Sequence, residues 1–330
     1  MENKKKFKLF DMNRDGKGVE RGEDRSPNLK FFFKQFGRKF SKIISLNILM
    51  IFQILPIILI AYLYFFAMPT TPTQYYPEYS ALYGVQQASS NVSSLLNLDL
   101  FSIQLGLPEY NAYTYWIIGG LIAFLVITYG WQKAGSVYVT RGLVRGDSVF
   151  IFSDYFYAIK KNFWQGLFLG LIDCIVIFAL GHNIIYYFYS PETGFNNFMY
   201  MMTIALILIY IMFRFYTYLM LVTFNIKLHK LLKNALIFTV LGIKRNLLAL
   251  IGLALVSAIA IIPVLFLMPL GLGVALVLPL IYYLGVCSFI YTYAAYPIIQ
   301  KYMIDPVATP TIEASDRIDD NEETLDTTEE

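Results

Sequence analysis

Two histidines, two cysteines and a charged fraction of only 15% are all that 330 residues offer to conventional site chemistry. His182 and His229 are too few and too far apart in sequence to suggest a histidine-based metal or catalytic centre. No phosphate-cradling glycine loop, zinc-ligand spacing or G-x-S-x-G elbow occurs. The expectation is a protein that is not an enzyme, with no catalytic residues, no cofactor and no metal. Cys174 and Cys287 both fall within apolar runs, so an external disulfide framework is not expected and both read as packing residues. A cleavable signal is not apparent either, because the first apolar run begins at Ile43 and is too long for a secretory segment.

Lysine and arginine are missing from three stretches, 68–112, 190–197 and Pro269–Leu270. They are plentiful elsewhere: residues 1–42 carry 13, the segment 132–162 carries Lys133, Arg141, Arg145, Lys160 and Lys161, and 225–246 carries five more. Between these alternating segments lie six apolar runs, Ile43–Ala67, Tyr113–Tyr129, Phe163–Tyr189, Phe198–Phe224, Leu247–Met268 and Gly271–Ile299. Each approaches or exceeds the roughly 20 residues needed to cross a hydrocarbon core of about 30 Å. The positive-inside bias then puts both termini in the cytoplasm. The fold class expected is an all-α membrane protein of six transmembrane helices.

Three units follow. Residues 1–42 form a basic cytoplasmic arm, 43–300 the six-helix domain with an external loop at 68–112, and 301–330 an acidic tail that reads as disordered. In the arm, Leu29, Phe32, Phe33, Phe36 and Phe40 make a helical stripe beside Lys30, Lys34, Arg38 and Lys42. The stripe predicts a helix from about Pro27 lying along the inner surface, then bending into the first span. One continuous helix from Pro27 to Ala67 is the rival. Phe36–Phe40, Ile159–Phe163 and Ile243–Leu247 can be laid on one another, each before an outward-going span. A three-fold repeat of helical hairpins would explain this, although a basic pair before an outward span is common to positive-inside proteins.

Some motifs lead nowhere. Asp11–Gly16 starts like a calcium loop, but its twelfth position is Gly22 instead of a glutamate. Arg145-Gly146-Asp147 is an integrin-like tripeptide on the cytoplasmic side of this topology. The basic arm suits anionic phospholipid headgroups, and no nucleic-acid-binding motif accompanies its charge.

Two groups of residues stand out as site candidates. Asp173 and Arg214 lie in adjacent apolar runs, nearly equidistant from a short connection, with Asp173 about 16 Å in at ~1.5 Å per residue. A buried ion pair is predicted, with Gln53 at similar depth to add a hydrogen bond. It either fixes helix packing or floors a ligand cavity. Tyr155, Phe156, Lys160, Lys161, Phe163 and Trp164 form an aromatic and basic cluster that could dock a partner protein, or simply anchor helix ends at the headgroups.

Residues 13–19 (Asn-Arg-Asp-Gly-Lys-Gly-Val), Pro27, Phe32-Phe33, Arg38-Lys39-Phe40 and Leu46-Asn47 resemble the start of YesL-type bacterial membrane proteins. Leu143-Val144-Arg145-Gly146-Asp147, Asp154-Tyr155-Phe156 and Lys160-Lys161-Asn162-Phe163 resemble that family's first large cytoplasmic loop. The resemblance covers 13–49 and 143–166, and the long external loop and acidic tail depart from the family's shorter pattern. It implies a cell-membrane protein of Gram-positive bacteria, of a family largely uncharacterised and without established catalytic residues. Its members are often encoded beside carbohydrate uptake systems. The expected role is an accessory to oligosaccharide uptake, with sugar ABC transporter subunits as partners; the alternative is a transporter or channel for a small molecule.

Overall fold

The computed structural model of the chain describes residues 26–66, 112–267 and 274–306. The calcium-like motif, most of the external loop and nearly all of the acidic tail lie outside the described residues.

Every regular element among the described residues is helical: α1 (Leu29–Phe66), α2 (Ala112–Arg145), α3 (Ile151–Lys161), α4 (Phe163–Tyr189), α5 (Gly194–Thr223), α6 (Leu228–Leu241), α7 (Ile243–Leu267) and α8 (Val274–Ile299). Six of these, all but α3 and α6, are long and apolar enough to cross a membrane. This is the outcome lipid demands of a spanning chain, since a helix satisfies its own backbone polar groups. A π-helical segment, Gln300–Ile304, prolongs α8, so the domain boundary drawn at residue 300 falls inside a helix.

α2 and α8 are central. α2 packs on α1, α3, α4, α5 and α8, and α8 packs on α1, α2, α5, α6 and α7. Buried side chains gather toward one end, in Ile43–Met50 of α1, Ala134–Leu143 of α2, Met212–Val222 of α5 and Val286–Ile299 of α8. That end also carries α3, α6 and their lysines. Toward the other end, large apolar residues such as Trp116, Phe178, Tyr189 and Phe266 are exposed, as suits lipid contact.

α1 differs from the sequence expectation in one respect, the seat of its aromatic stripe. It is one continuous helix, and its aromatic stripe divides instead of lying whole on the membrane surface. Phe32 and Phe36 pack on Phe289, and Phe32 also meets Tyr293, while Leu29, Phe33 and Phe40 remain exposed. Tyr293 donates from its hydroxyl to the Asn28 carbonyl at 2.8 Å, and Gln35 Nε2 donates to the Leu143 and Val144 carbonyls at 2.9 and 2.7 Å. These contacts hold the arm against α2 and α8.

Further along α1, Asn47 is fully buried against the backbone of α8. Its Nδ2 donates to the Leu280 carbonyl, and its Oδ1 accepts from the Gly285 N–H at 2.8 Å. Gly285 permits this approach, because a Cβ there would lie 2.6 Å from the Ile43 carbonyl oxygen. Replacing Asn47 with leucine removes both of these bonds to α8. The expected cost is about 0.5–1.5 kcal/mol for each bond lost. Unfolding by SDS titration in mixed micelles reads it, and an unchanged midpoint would contradict this account.

Two of the three aligned segments share a joint. α3 meets α4 at the single residue Asn162, and α6 meets α7 at the single residue Gly242. At each joint the backbone N–H closes onto the fourth residue before it, Ala158 or Phe238. The joint residues are Asn162 and Gly242, whereas the sequence alignment lays Asn162 on Asn246, one helical turn further. α1 has no such joint.

Candidate functional site

The interior polar cluster begins with turn chemistry. Thr193 caps α5, accepting from the Asn196 N–H at 3.2 Å, and closes the connection from α4. α4 ends 16 residues after Asp173, and Tyr210 lies 16 residues after the start of α5, so these two face each other. Arg214 is one turn further along and reaches back.

Asp173, only 2% exposed, accepts three hydrogen bonds. Tyr210 donates to Oδ1, Tyr218 to Oδ2 at 2.7 Å, and Arg214 Nε to Oδ2 at 3.1 Å. The predicted ion pair is thus formed, on adjacent helices. Arg214 also donates from Nη2 to the Tyr129 hydroxyl, and its guanidinium carbon lies 5.3 Å from the centre of the Tyr129 ring. Charge-assisted bonds of this kind are roughly twice as strong as neutral ones, which suits a carboxylate withdrawn from water.

Gln53 is buried but makes none of these bonds. It sits on α1, which packs against α2, α3 and α8, whereas Asp173 and Arg214 belong to α4 and α5. Equal depth did not bring it to the pair.

Lys133, by contrast, belongs here. It is not a loop residue: α2 continues to Arg145, and Lys133 is half-buried within it, its Nζ 5.8 Å from the centre of the same Tyr129 ring. Its ammonium interacts electrostatically with Asp173. Beyond it, α2 and α8 share a chain of hydroxyls. Thr140 bonds Thr292 at 3.0 Å and approaches Ser288 at 3.4 Å, and Ser288 bonds Tyr291 at 3.0 Å. The polar interior therefore joins four helices.

The second candidate is α3. Asp154 accepts from the Phe150 N–H at 2.8 Å, tying the start of the helix, and Lys160 and Lys161 complement its C-terminal dipole. Phe152, Ser153, Phe156, Tyr157 and Lys160 line a shallow open groove of about 450 Å³ on its outer face. Phe156 is 51% and Trp164 67% exposed, and Lys161 and Phe163 are exposed beside them. Tyr155 is a correction to the docking surface: it is 4% exposed and turned inward, its ring over Gly135 of α2. Burial pushes its hydroxyl above the usual tyrosine range. Phe152 and Tyr157 take its place on the outer face.

Among the described residues no group of three or more histidine, cysteine, aspartate or glutamate side chains comes together.

Residues 112–184 match the family described as a protein of unknown function, DUF624. The matched stretch holds Tyr129, Lys133 and Asp173 of the polar cluster and all of α3, and it stops before Arg214. No curated protein and no solved structure matches the chain. The molecule is a helical membrane protein, with a segment that matches a family whose function is unknown.

Proposed function

We propose that this chain is an accessory protein of the bacterial cell membrane that assists oligosaccharide uptake through protein contacts, with both termini in the cytoplasm. The observation that carries the contact role is the outer face of α3, where Phe152, Phe156 and Tyr157 stand exposed beside Lys160 at the end of the molecule rich in lysine. Aromatic anchors flanked by a cation are the composition of interaction hot spots. The orientation rests on the alternation of basic and non-basic segments. The link to sugar uptake, and to ABC transporter subunits as partners, rests on the resemblance to YesL-type proteins in 13–49 and 143–166. Headgroups of anionic lipids would meet the remaining basic residues.

Photo-crosslinking in cells from a benzophenone side chain at Phe156 or Tyr157 tests the reading. The expected result is a discrete protein adduct containing a transporter membrane subunit. Adducts with lipid alone would count against a docking role for α3.

A second reading, a transporter or channel, is favoured by one observation: three ionisable side chains, Lys133, Asp173 and Arg214, interact in the interior of the helix bundle. Flux into proteoliposomes discriminates. Sugar entry no faster than into protein-free vesicles leaves the accessory role standing.

A further inference from the structure

The polar cluster is unbalanced in charge. Asp173 carries one negative charge, and it faces two cations, Arg214 and Lys133. Its oxygens are already committed: Oδ1 to Tyr210, and Oδ2 to Tyr218 and the Arg214 Nε. Lys133 makes no ion pair and no hydrogen bond with the described residues, and its one close partner is the face of Tyr129. Arg214 has donors to spare as well. Nε serves Asp173 and Nη2 serves Tyr129, whereas Nη1 has no hydrogen bond among the described residues.

Lys133 Nζ and the Arg214 guanidinium carbon both lie against the Tyr129 ring, 5.8 Å and 5.3 Å from its centre. The half-buried setting makes bulk counter-ions a poor substitute for a bound one, because charge in a low-dielectric interior requires a partner. Planar guanidinium and mobile ammonium are a standard combination for oxyanions, the first fixing geometry and the second supplying charge. Neither feature was needed for the ion pair itself, which Nε alone completes.

We propose that Lys133 and the Nη1 edge of Arg214, gathered around Tyr129, bind a singly charged oxyanion, a phosphodiester or a carboxylate. One negative charge brings the cluster to neutrality. The proposal is independent of the docking role of α3. The anion can come from two sources, the headgroup of an anionic phospholipid or a soluble carboxylate or phosphate.

The test uses the purified full-length chain in a zwitterionic detergent. Thermal unfolding is followed in three arms: phosphatidylglycerol against phosphatidylcholine, sodium phosphate against sodium chloride at equal ionic strength, and sodium acetate against sodium chloride. The expected result is a saturable rise in the melting midpoint in at least one arm, abolished in Lys133→Gln and retained in Lys133→Arg. A rise confined to phosphatidylglycerol assigns the lipid as the source. A rise with phosphate or acetate assigns a soluble anion. Should Lys133→Gln fail to fold, the comparison of wild type with Lys133→Arg and the saturation of the wild-type response still decide. No rise in any arm overturns the proposal, as does a rise that Lys133→Gln keeps in full.

Discussion

Replacing Asp173 with alanine is expected to destabilise the bundle by about 3–5 kcal/mol, the range found when one partner of a buried ion pair is removed. The mechanism is specific. Arg214 loses the acceptor of its Nε, two tyrosine hydroxyls lose theirs, and Lys133 loses the negative charge it faces. A partly buried guanidinium, 20% exposed, is then left without a counter-charge. Asp173→Asn keeps a carbonyl to accept from a tyrosine and should cost less than alanine. Combining Asp173→Leu with Arg214→Met removes both charges, and it is expected to recover part of the loss. Full recovery is not expected, since Tyr210 and Tyr218 still lack an acceptor. SDS titration of the purified variants measures all three, and an Asp173→Ala variant within about 1 kcal/mol of wild type would refute a structural role for the pair.

Gly130→Ala should be nearly as damaging, for a steric reason. α2 crosses α4 at Gly130, between Gly166 and Gly170. A Cβ at 130 would overlap the Gly166 carbonyl oxygen and lie 2.8 Å from its carbon and 2.9 Å from the Gly170 Cα. All of these are backbone atoms, so no side-chain rotation relieves the clash and the helices must separate. Overpacking of this kind costs typically about 1–3 kcal/mol, occasionally more. Small residues at helix crossings are how membrane helices gain close backbone contact. Here the separation would also move Tyr129 and Lys133 away from Asp173. Gly119→Ala and Gly120→Ala are the controls: a Cβ at either position meets nothing within 4 Å, and alanine favours the helix by about 0.5–1 kcal/mol. Thermal unfolding that ranks Gly130→Ala level with these controls would contradict the crossing geometry.

The six spans were legible because hydrophobic length is a property of sequence alone. The bounds of α4 coincide with the third apolar run, Phe163–Tyr189. The Asp173–Arg214 pair was legible because a short turn fixes relative height along a hairpin. Height is not azimuth, however, and Gln53 shows the difference. Its depth was read from its own helix, whereas its neighbours depend on which helices α1 packs against. Tyr210 and Tyr218 flank Arg214 at four-residue spacing, as Lys133 follows Tyr129, so both faces were written in the chain. They do not stand out, because aromatic residues are common in five of the six runs and Lys133 reads as part of a basic loop. Tyr155 reads from sequence as an outer residue for a similar reason. The space that admits its ring is provided by Gly135, on a different helix.

The attachment of α1 to α8 also sets an order of events during biosynthesis. Asn47 and Gly285 are 238 residues apart in sequence. At about 5–20 residues per second, the acceptor and donor that Asn47 requires emerge roughly 12–48 s after it does. Through that interval the first span resides in lipid with Asn47 and Gln53 unmatched by their final surroundings. The last span to be synthesised completes the packing of the first. A chain released before α8 inserts therefore retains an open, polar-marked edge, which membrane quality control could recognise as an unfinished protein.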